Sequence, residues 1–280
     1  MNGRTCLITG ATSGIGRATA IELARRGATL VLVARDRGRG EDTMREIRER
    51  TDNRQVTLLL ADLSSQQSIR ELARAFLATN RPLHVLLNNA GVVNLGRSVT
   101  VDGIETVFAV NHLGYFLLTN LLLDRLKQSA PARIVNVASE VHKIGGLNFD
   151  DLQNERRFRS MGVYGQSKLA NILFTYELAR RLAGSGVTVN CLHPGAVATG
   201  LGKNNGAWAQ VLIRILGTFF RTPEQGAATS IYLASSPAVA GVSGKYFMNS
   251  KERRSSKASY DEAAARRLWE ISAQMTGLGA

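Results

Sequence analysis

Thr5-Cys6-Leu7-Ile8-Thr9-Gly10-Ala11-Thr12-Ser13-Gly14-Ile15-Gly16 stands a few residues after the start of the chain. Its first half is a short apolar run of strand-forming residues. Its second half sets three glycines just ahead of a helical pattern. Gly10 permits a tight turn, Gly14 lets the backbone approach a phosphate, and Gly16 lets the next helix pack on the strand. A helix starting there, with Ser13 and Ile15 between the glycines, offers unpaired N–H groups and a positive dipole end to an anion. A glycine-rich turn alone is weak and is also a purely structural device. Its position at the first strand–helix junction is what points to a dinucleotide.

Outward from this junction, strand-length apolar runs alternate with amphipathic helix-length segments. Strands are expected at Thr5–Thr9 and at residues 30–34, 56–61, 85–88, 133–138 and 187–192, with a short last one near 245–248. Helices are expected at 14–26, 37–50, 66–79, 103–127 and 163–183. Another starts at Thr222-Pro223-Glu224, and a C-terminal helix lies near 260–276. Continuously apolar strands separated by helices imply a parallel sheet covered on both faces, and right-handed crossovers make it a doubly wound Rossmann sheet. No repeat or proline-rich linker interrupts the series, so residues 1–280 are expected to form one α/β domain of about seven strands. The charged stretch 250–257 is expected to be loose.

With 44% hydrophobic and 20% charged residues, the composition is globular and excludes a wholly disordered chain. Cys6 and Cys191 lie in apolar runs and read as reduced core residues. The opening MNGRTCLITG lacks the basic start and longer apolar stretch of a leader, and no uncharged apolar segment has bilayer-spanning length. A soluble, cytoplasmic protein is the expectation. The net charge of +13 raises nucleic acid and anionic membranes as partners. Its arginines are spread over many helical stretches with acids among them, which reads as a solvated basic surface. No nucleic acid is expected, and peripheral membrane contact stays open. His84, His112, His142 and His193 lack a metal-binding spacing, so no metal is expected.

The end of the second strand bears on which dinucleotide binds. An acid there suits the ribose 2′-hydroxyl of NAD, whereas Ala34-Arg35 suits the 2′-phosphate of NADP(H) through charge-assisted bonds. The alternative is that Arg35 pairs with surface acids. Asp62-Leu63 borders the expected adenine position, where Asp62 either accepts from the amino group or caps the next helix. Asn88-Asn89-Ala90-Gly91 lets a cofactor lie across the sheet edge, and is equally a plain turn.

The chemistry centres on Tyr164-Gly165-Gln166-Ser167-Lys168, whose Tyr and Lys share one helix face. A phenol with a pKa of about 10 is a poor base at neutrality. A nearby ammonium, with an oxidised nicotinamide, is expected to lower it. Ser139, just past the fifth strand, is placed to polarise a carbonyl, and His142 is close enough to enter the same pocket. A lone Tyr-x-x-x-Lys usually decorates a helix surface. Here it follows the other motifs in order.

Together these motifs resemble the short-chain dehydrogenase/reductase family over nearly the whole chain. The resemblance implies an NADP(H)-dependent oxidoreductase interconverting a carbonyl and an alcohol. Tyr164 would be its acid/base, Lys168 the modulator of Tyr164 and ribose anchor, and Ser139 the carbonyl orienter. Asn111, in the Asn111-His112 pair, would help to hold a relay water. It also implies that Pro194-Gly195-Ala196-Val197-Ala198-Thr199 packs on the nicotinamide and reaches the pyrophosphate through Thr199. Pairing of the fourth and fifth helices into a homodimer or homotetramer would use Leu117, Leu118, Leu121, Ile172, Leu173 and Phe174.

Phe149-Asp150-Asp151-Leu152, the run from Ser167 to Phe174, Leu192-His193-Pro194-Gly195 and Arg266-Arg267-Leu268-Trp269 are similar to the retinol dehydrogenase and WW-domain oxidoreductase branch. The resemblance places a substrate lid near residues 200–222. That stretch is bulky and apolar, so it covers an apolar ligand, lies on a membrane or packs in an interface. On the ligand reading, Leu212 and Leu216 join Ser139, His142 and Tyr164 as substrate contacts, and the substrate is a lipophilic aldehyde or ketone. The alternatives are a reductase of aromatic or polyketide-like ketones in secondary metabolism and, in another class, a nucleotide-sensing protein without turnover.

Overall fold

The apolar strands sort their side chains alternately into two cores. Leu7, Val31, Leu86, Ile134 and Val189 pack one face with Phe76, Phe116 and Phe174. Cys6, Ile8, Leu30, Leu32, Val85, Leu87 and Val135 pack the other with Ile21, Ile47 and Leu233. Covering both faces is what continuous hydrophobic strands require.

The computed structural model describes residues 1–195 and 221–279. Its first half runs β1 (Thr5–Thr9), α1 (Gly14–Arg25), β2 (Thr29–Ala34), α2 (Arg37–Thr51), β3 (Val56–Leu60), α3 (Gln66–Ala78) and β4 (Val85–Asn88). The fourth helical segment comes in pieces: α4 (Thr106–Phe108), a π-turn (Ala109–Leu113), α5 (Gly114–Leu121) and α6 (Leu123–Gln128). Then follow β5 (Ala132–Val137), α7 (Ser160–Arg181), β6 (Val187–His193), α8 (Pro223–Ser235), β7 (Lys245–Met248), β8 (Lys251–Arg253) and α9 (Glu262–Met275). The sheet order is β3-β2-β1-β4-β5-β6-β7-β8. All neighbours are parallel except β8, which is antiparallel to β7. The order reverses between β1 and β4, and in such sheets ligands bind outside the carboxyl ends of the strands at that point.

Two expectations are corrected. The helix expected at 103–127 starts at Thr106, because the buried Glu105 carboxylate accepts from Val107 N at 2.8 Å and Phe108 N at 2.7 Å. It is then interrupted by the π-turn that carries Asn111 and His112. The stretch 250–257 is not simply loose. Asn249 (φ 54°) and Ser250 (φ 57°) form a left-handed turn that folds β8 back on β7, giving eight strands. The charges of β8 suit an exposed sheet edge, where they discourage further pairing.

Of the six apolar residues expected to pair in an oligomer, Leu121 is partly buried. Leu117, Leu118, Ile172, Leu173 and Phe174 are buried within the single chain. Trp269 of α9 packs on Phe116 (4.9 Å between centroids) and Phe174 (5.8 Å), covering this region from inside the molecule.

Candidate active site

A cleft of about 980 Å³ lies over the carboxyl ends of β1, β4, β5 and β6. It brings together Gly10, Ser13, Gly14, Ile15 and Gly16 from the first junction, and Arg35, Asp62 and Leu63 from the ends of β2 and β3. Asn89, Ala90, Gly91, Ser139, Tyr164, Lys168, Pro194 and Gly195 complete the sequence-expected lining.

Contact distances explain the glycines. Gly10 has φ +65°, and a Cβ there would lie 2.8 Å from Ala90 Cα; one on Gly16 would lie 2.3 Å from the Gly10 carbonyl oxygen. The first loop, α1 and the loop after β4 therefore close on each other with no room for a side chain. Asn89 Nδ2 donates to Thr9 O at 2.9 Å and Gly10 O at 3.2 Å. Thr9 Oγ1 accepts from Asn89 N at 2.9 Å and Ala90 N at 3.1 Å. Asn89 ties the two loops together.

At the rim, Asp36 caps α2 by accepting from Arg39 N at 2.8 Å. Arg35 lines the cleft and makes no ion pair among the described residues. Arg39 also lines the cleft without an ion pair among the described residues, and sequence reading missed it. Its signal was an arginine four positions after Arg35. Asp62 does not cap α3; Ser65 does. Asp62 Oδ1 accepts from Ser64 N and Oγ at 2.9 and 2.7 Å, leaving Oδ2 for a ligand.

The other wall is built by α7 lying directly on the loop after β5. A Cβ on Gly145 would fall 2.2 Å from the Gly165 carbonyl carbon, so both glycines are needed for the approach. It brings Ser139 and Tyr164 onto the same wall of the cleft. One turn on, Lys168 is 2% exposed; its Nζ donates to Val137 O at 3.1 Å and stands 5.5 Å from the Tyr164 ring centroid. A Cβ on Gly91 would sit 3.6 Å from Lys168 Nζ and 3.3 Å from Asn111 Oδ1, so both side chains lie close against the Gly91 loop.

Burial dominates the electrostatics here. It pushes the Tyr164 phenol up to about 12, against a smaller downward pull from the Ser139 hydrogen bond. It pushes the Lys168 ammonium down to about 7. The expected lowering of the phenol involves an oxidised nicotinamide beside the ammonium; within the protein's own groups, desolvation dominates.

Not every expected residue reaches the cleft. His142 does not: its ring is fully buried, Nδ1 lies 2.6 Å from Ser139 O, and Nε2 accepts from Ser256 N at 2.9 Å. The short helix after Ser139 turns it inward. Asn111 is buried behind the wall, with Nδ2 donating to Val92 O at 2.9 Å and Ser167 Oγ at 3.0 Å, and Oδ1 accepting from Val92 N at 2.8 Å. Its side chain is fully occupied in joining the π-turn to α7 and the loop after Gly91. Val197, Thr199, Leu212 and Leu216, with residues 200–220 of the expected lid, lie outside the described residues. His193 lines the cleft and was not among the expected site residues.

Among the described residues, no group of three or more His, Cys, Asp or Glu side chains is arranged to hold a metal ion, and no helix is long and apolar enough to cross a membrane. Cys6 and Cys191 are unpaired, with thiols pushed up to about 12 by burial.

The profile described as short chain dehydrogenase matches residues 4–210. Retinol dehydrogenase 14 of Mus musculus is 49% identical over 292 aligned positions, covering 99% of this chain and 87% of that protein. Retinol dehydrogenase 13 of Homo sapiens is 47% identical, covering 99% and 86%. Among solved structures, an uncharacterised protein from Mycobacterium Paratuberculosis has a TM-score of 0.80 at 36% identity, covering 99% of this chain and 94% of that one. The RhlG/NADP active-site complex of Pseudomonas aeruginosa has a TM-score of 0.70 at 29% identity, covering 88% and 94%. On the glycine junction, the sheet order and these matches, the chain belongs to the short chain dehydrogenase family, in its retinol-dehydrogenase-like branch.

Proposed function

We propose that this oxidoreductase uses NADP(H) and reduces a lipophilic aldehyde or ketone, with Tyr164, Lys168, Ser139 and Asn111 as its working set. The observation that carries the reading is the convergence of Ser139, Tyr164 and Lys168 in the cleft that the glycine junction opens. The residues fit the cofactor: Gly10 and Gly16 form a backbone cradle that side chains would fill, and Arg35 and Arg39 supply cationic groups without acid partners among the described residues. Pro194, Gly195 and the carboxylate oxygen left free on Asp62 extend that contact surface, with Val197 and Thr199 as proposed further contacts.

The residues of the glycine junction would hold NADPH, whose chemistry there would be to supply a hydride to the carbonyl carbon. Tyr164, held as a neutral phenol by burial, donates its proton to the carbonyl oxygen as charge develops there. Ser139 Oγ accepts from Val141 N at 3.4 Å, so its own hydrogen is available to the same oxygen. Lys168 would hold the cofactor ribose, and its ammonium, 5.5 Å from the Tyr164 ring centroid, would stabilise the phenolate left behind. Asn111 serves by fixing the Val92 loop and α7 in register.

Val92, Leu95, Val110 and Val141 in the lining support an apolar substrate, as do relatives named retinol dehydrogenases. A retinoid-like aldehyde is therefore the first substrate to assay. Following NADPH absorbance with a graded panel should give the highest kcat/KM for long or polycyclic carbonyls. Small polar ketones outperforming them would defeat the lipophilic assignment.

A further inference from the structure

The peptide unit between Ser139 and Glu140 is held at both ends by imidazoles. His142 Nδ1 lies 2.6 Å from the Ser139 carbonyl oxygen, and His193 Nδ1 accepts from the Glu140 N–H at 3.2 Å. Each contact fixes a tautomer, because a carbonyl can only accept and an amide N–H can only donate. His142 must carry its proton on Nδ1, consistent with its Nε2 accepting from Ser256 N at 2.9 Å. His193 must carry its proton on Nε2. The two rings are thus opposite tautomers gripping one peptide plane.

Their second nitrogens have different fates. That of His142 is used inside the protein, whereas His193 Nε2 has no partner among the described residues and His193 is one of the residues that line the cleft. His193 ends β6 beside the strand end that carries Ser139, since Ala138 N donates to Leu192 O at 2.8 Å. The groups around it are already engaged. Glu140 accepts from Lys143 Nζ at 3.0 Å and Tyr246 OH at 3.4 Å, and Arg221 donates to Asn249 Oδ1 at 2.7 Å. Burial keeps His193 neutral, with a pKa of about 4; Glu140 pulls it upward and Arg221 further down.

We infer that His193 has two tasks: its Nδ1 positions Ser139 through the Glu140 amide, and its Nε2–H donates to a carbonyl oxygen bound at that end of the cleft. The second task rests on the proposed function, and the oxygen belongs either to the nicotinamide carboxamide or to the substrate. The first rests on geometry alone.

Long-range proton–nitrogen NMR on the histidine-labelled full-length protein reads the clamp without any turnover. The expected result is an Nε2–H pattern for His193 and an Nδ1–H pattern for His142, both persisting from pH 6 to pH 8. An Nδ1–H pattern at His193 overturns the inference, whatever the enzyme's substrate proves to be.

Two variants then separate the tasks. His193→Asn keeps an acceptor near the Nδ1 position but withdraws the cleft donor. Its loss should fall on binding, about two- to tenfold, the scale of one neutral hydrogen bond. A rise in the NADPH Kd assigns the acceptor to the carboxamide; a rise in carbonyl KM alone assigns it to the substrate. His193→Phe removes both contacts and should lower kcat about tenfold below His193→Asn. Equal kcat in the two variants overturns the positioning role, and unchanged Kd and KM in His193→Asn overturn the donor role.

Discussion

At the scale of single residues, burial decides more than neighbouring charge does. Lys168 stands beside Tyr164, yet the phenol is pushed up and the ammonium down, because both lie away from bulk water. Arg35 is the opposite case, an exposed cation whose value depends on what it meets. Arg35→Ala should weaken NADPH about ten- to hundredfold, the loss of one or two charge-assisted bonds, and leave NADH nearly unchanged. Titration of both cofactors checks this; equal losses would contradict the 2′-phosphate role. His112 gives a pH prediction. It is fully buried and burial holds its pKa near 4, below the ordinary 6.5, so the unfolded chain binds its proton first as pH falls. Its contribution to stability is complete above pH 6.5 and is lost toward pH 4, with a slope of about 1.4 kcal/mol per pH unit between them. Urea unfolding of His112→Asn at several pH values should show the slope shallower by about one proton. An unaltered slope would mean that His112 is already protonated in the folded state.

At the scale of elements, the legible parts were those whose chemistry demands particular residue types. The β1–α1 junction was readable because only glycine tolerates contacts as close as 2.3 Å. The π-turn was not readable, since apolar residues on either side keep a helical period and the extra residue leaves no compositional mark. The strand β8 escaped because it is three charged residues long and its turn uses Asn249-Ser250 rather than a glycine pair. His142 was misplaced because proximity in sequence does not fix which way a short helix turns a ring. His193 was missed because its role depends on an amide 53 positions away. The Gly145–Gly165 contact yields a test at this scale. Gly145→Ala should push the Ser139 loop off α7 and lower kcat at least tenfold, a misplacement effect. NADPH affinity should stay within about threefold, because the glycine cradle is on other loops. Circular dichroism and cofactor titration distinguish this from global unfolding; parental kcat would show that the loop tolerates the shift.

At the scale of the whole molecule, the doubly wound sheet places the glycine junction, the Asn89 tie and the Ser139–Tyr164 wall on one edge, though they are distant in sequence. The C-terminal helix α9 completes the body by covering α5 and α7 with Trp269, and Leu117, Leu118 and Phe174 belong to the core beneath it. A net charge of +13 favours the approach of a phosphate-bearing cofactor, without naming it. Under the proposed function, Tyr164 hands a proton to a carbonyl beside bound NADPH. The most direct measurement is single-turnover loss of NADPH absorbance with a lipophilic aldehyde, comparing the parent with Tyr164→Phe. The account predicts a rate lower by about 10²–10⁴-fold with NADPH affinity retained. A Tyr164→Phe protein that turns over at the parental rate would contradict it.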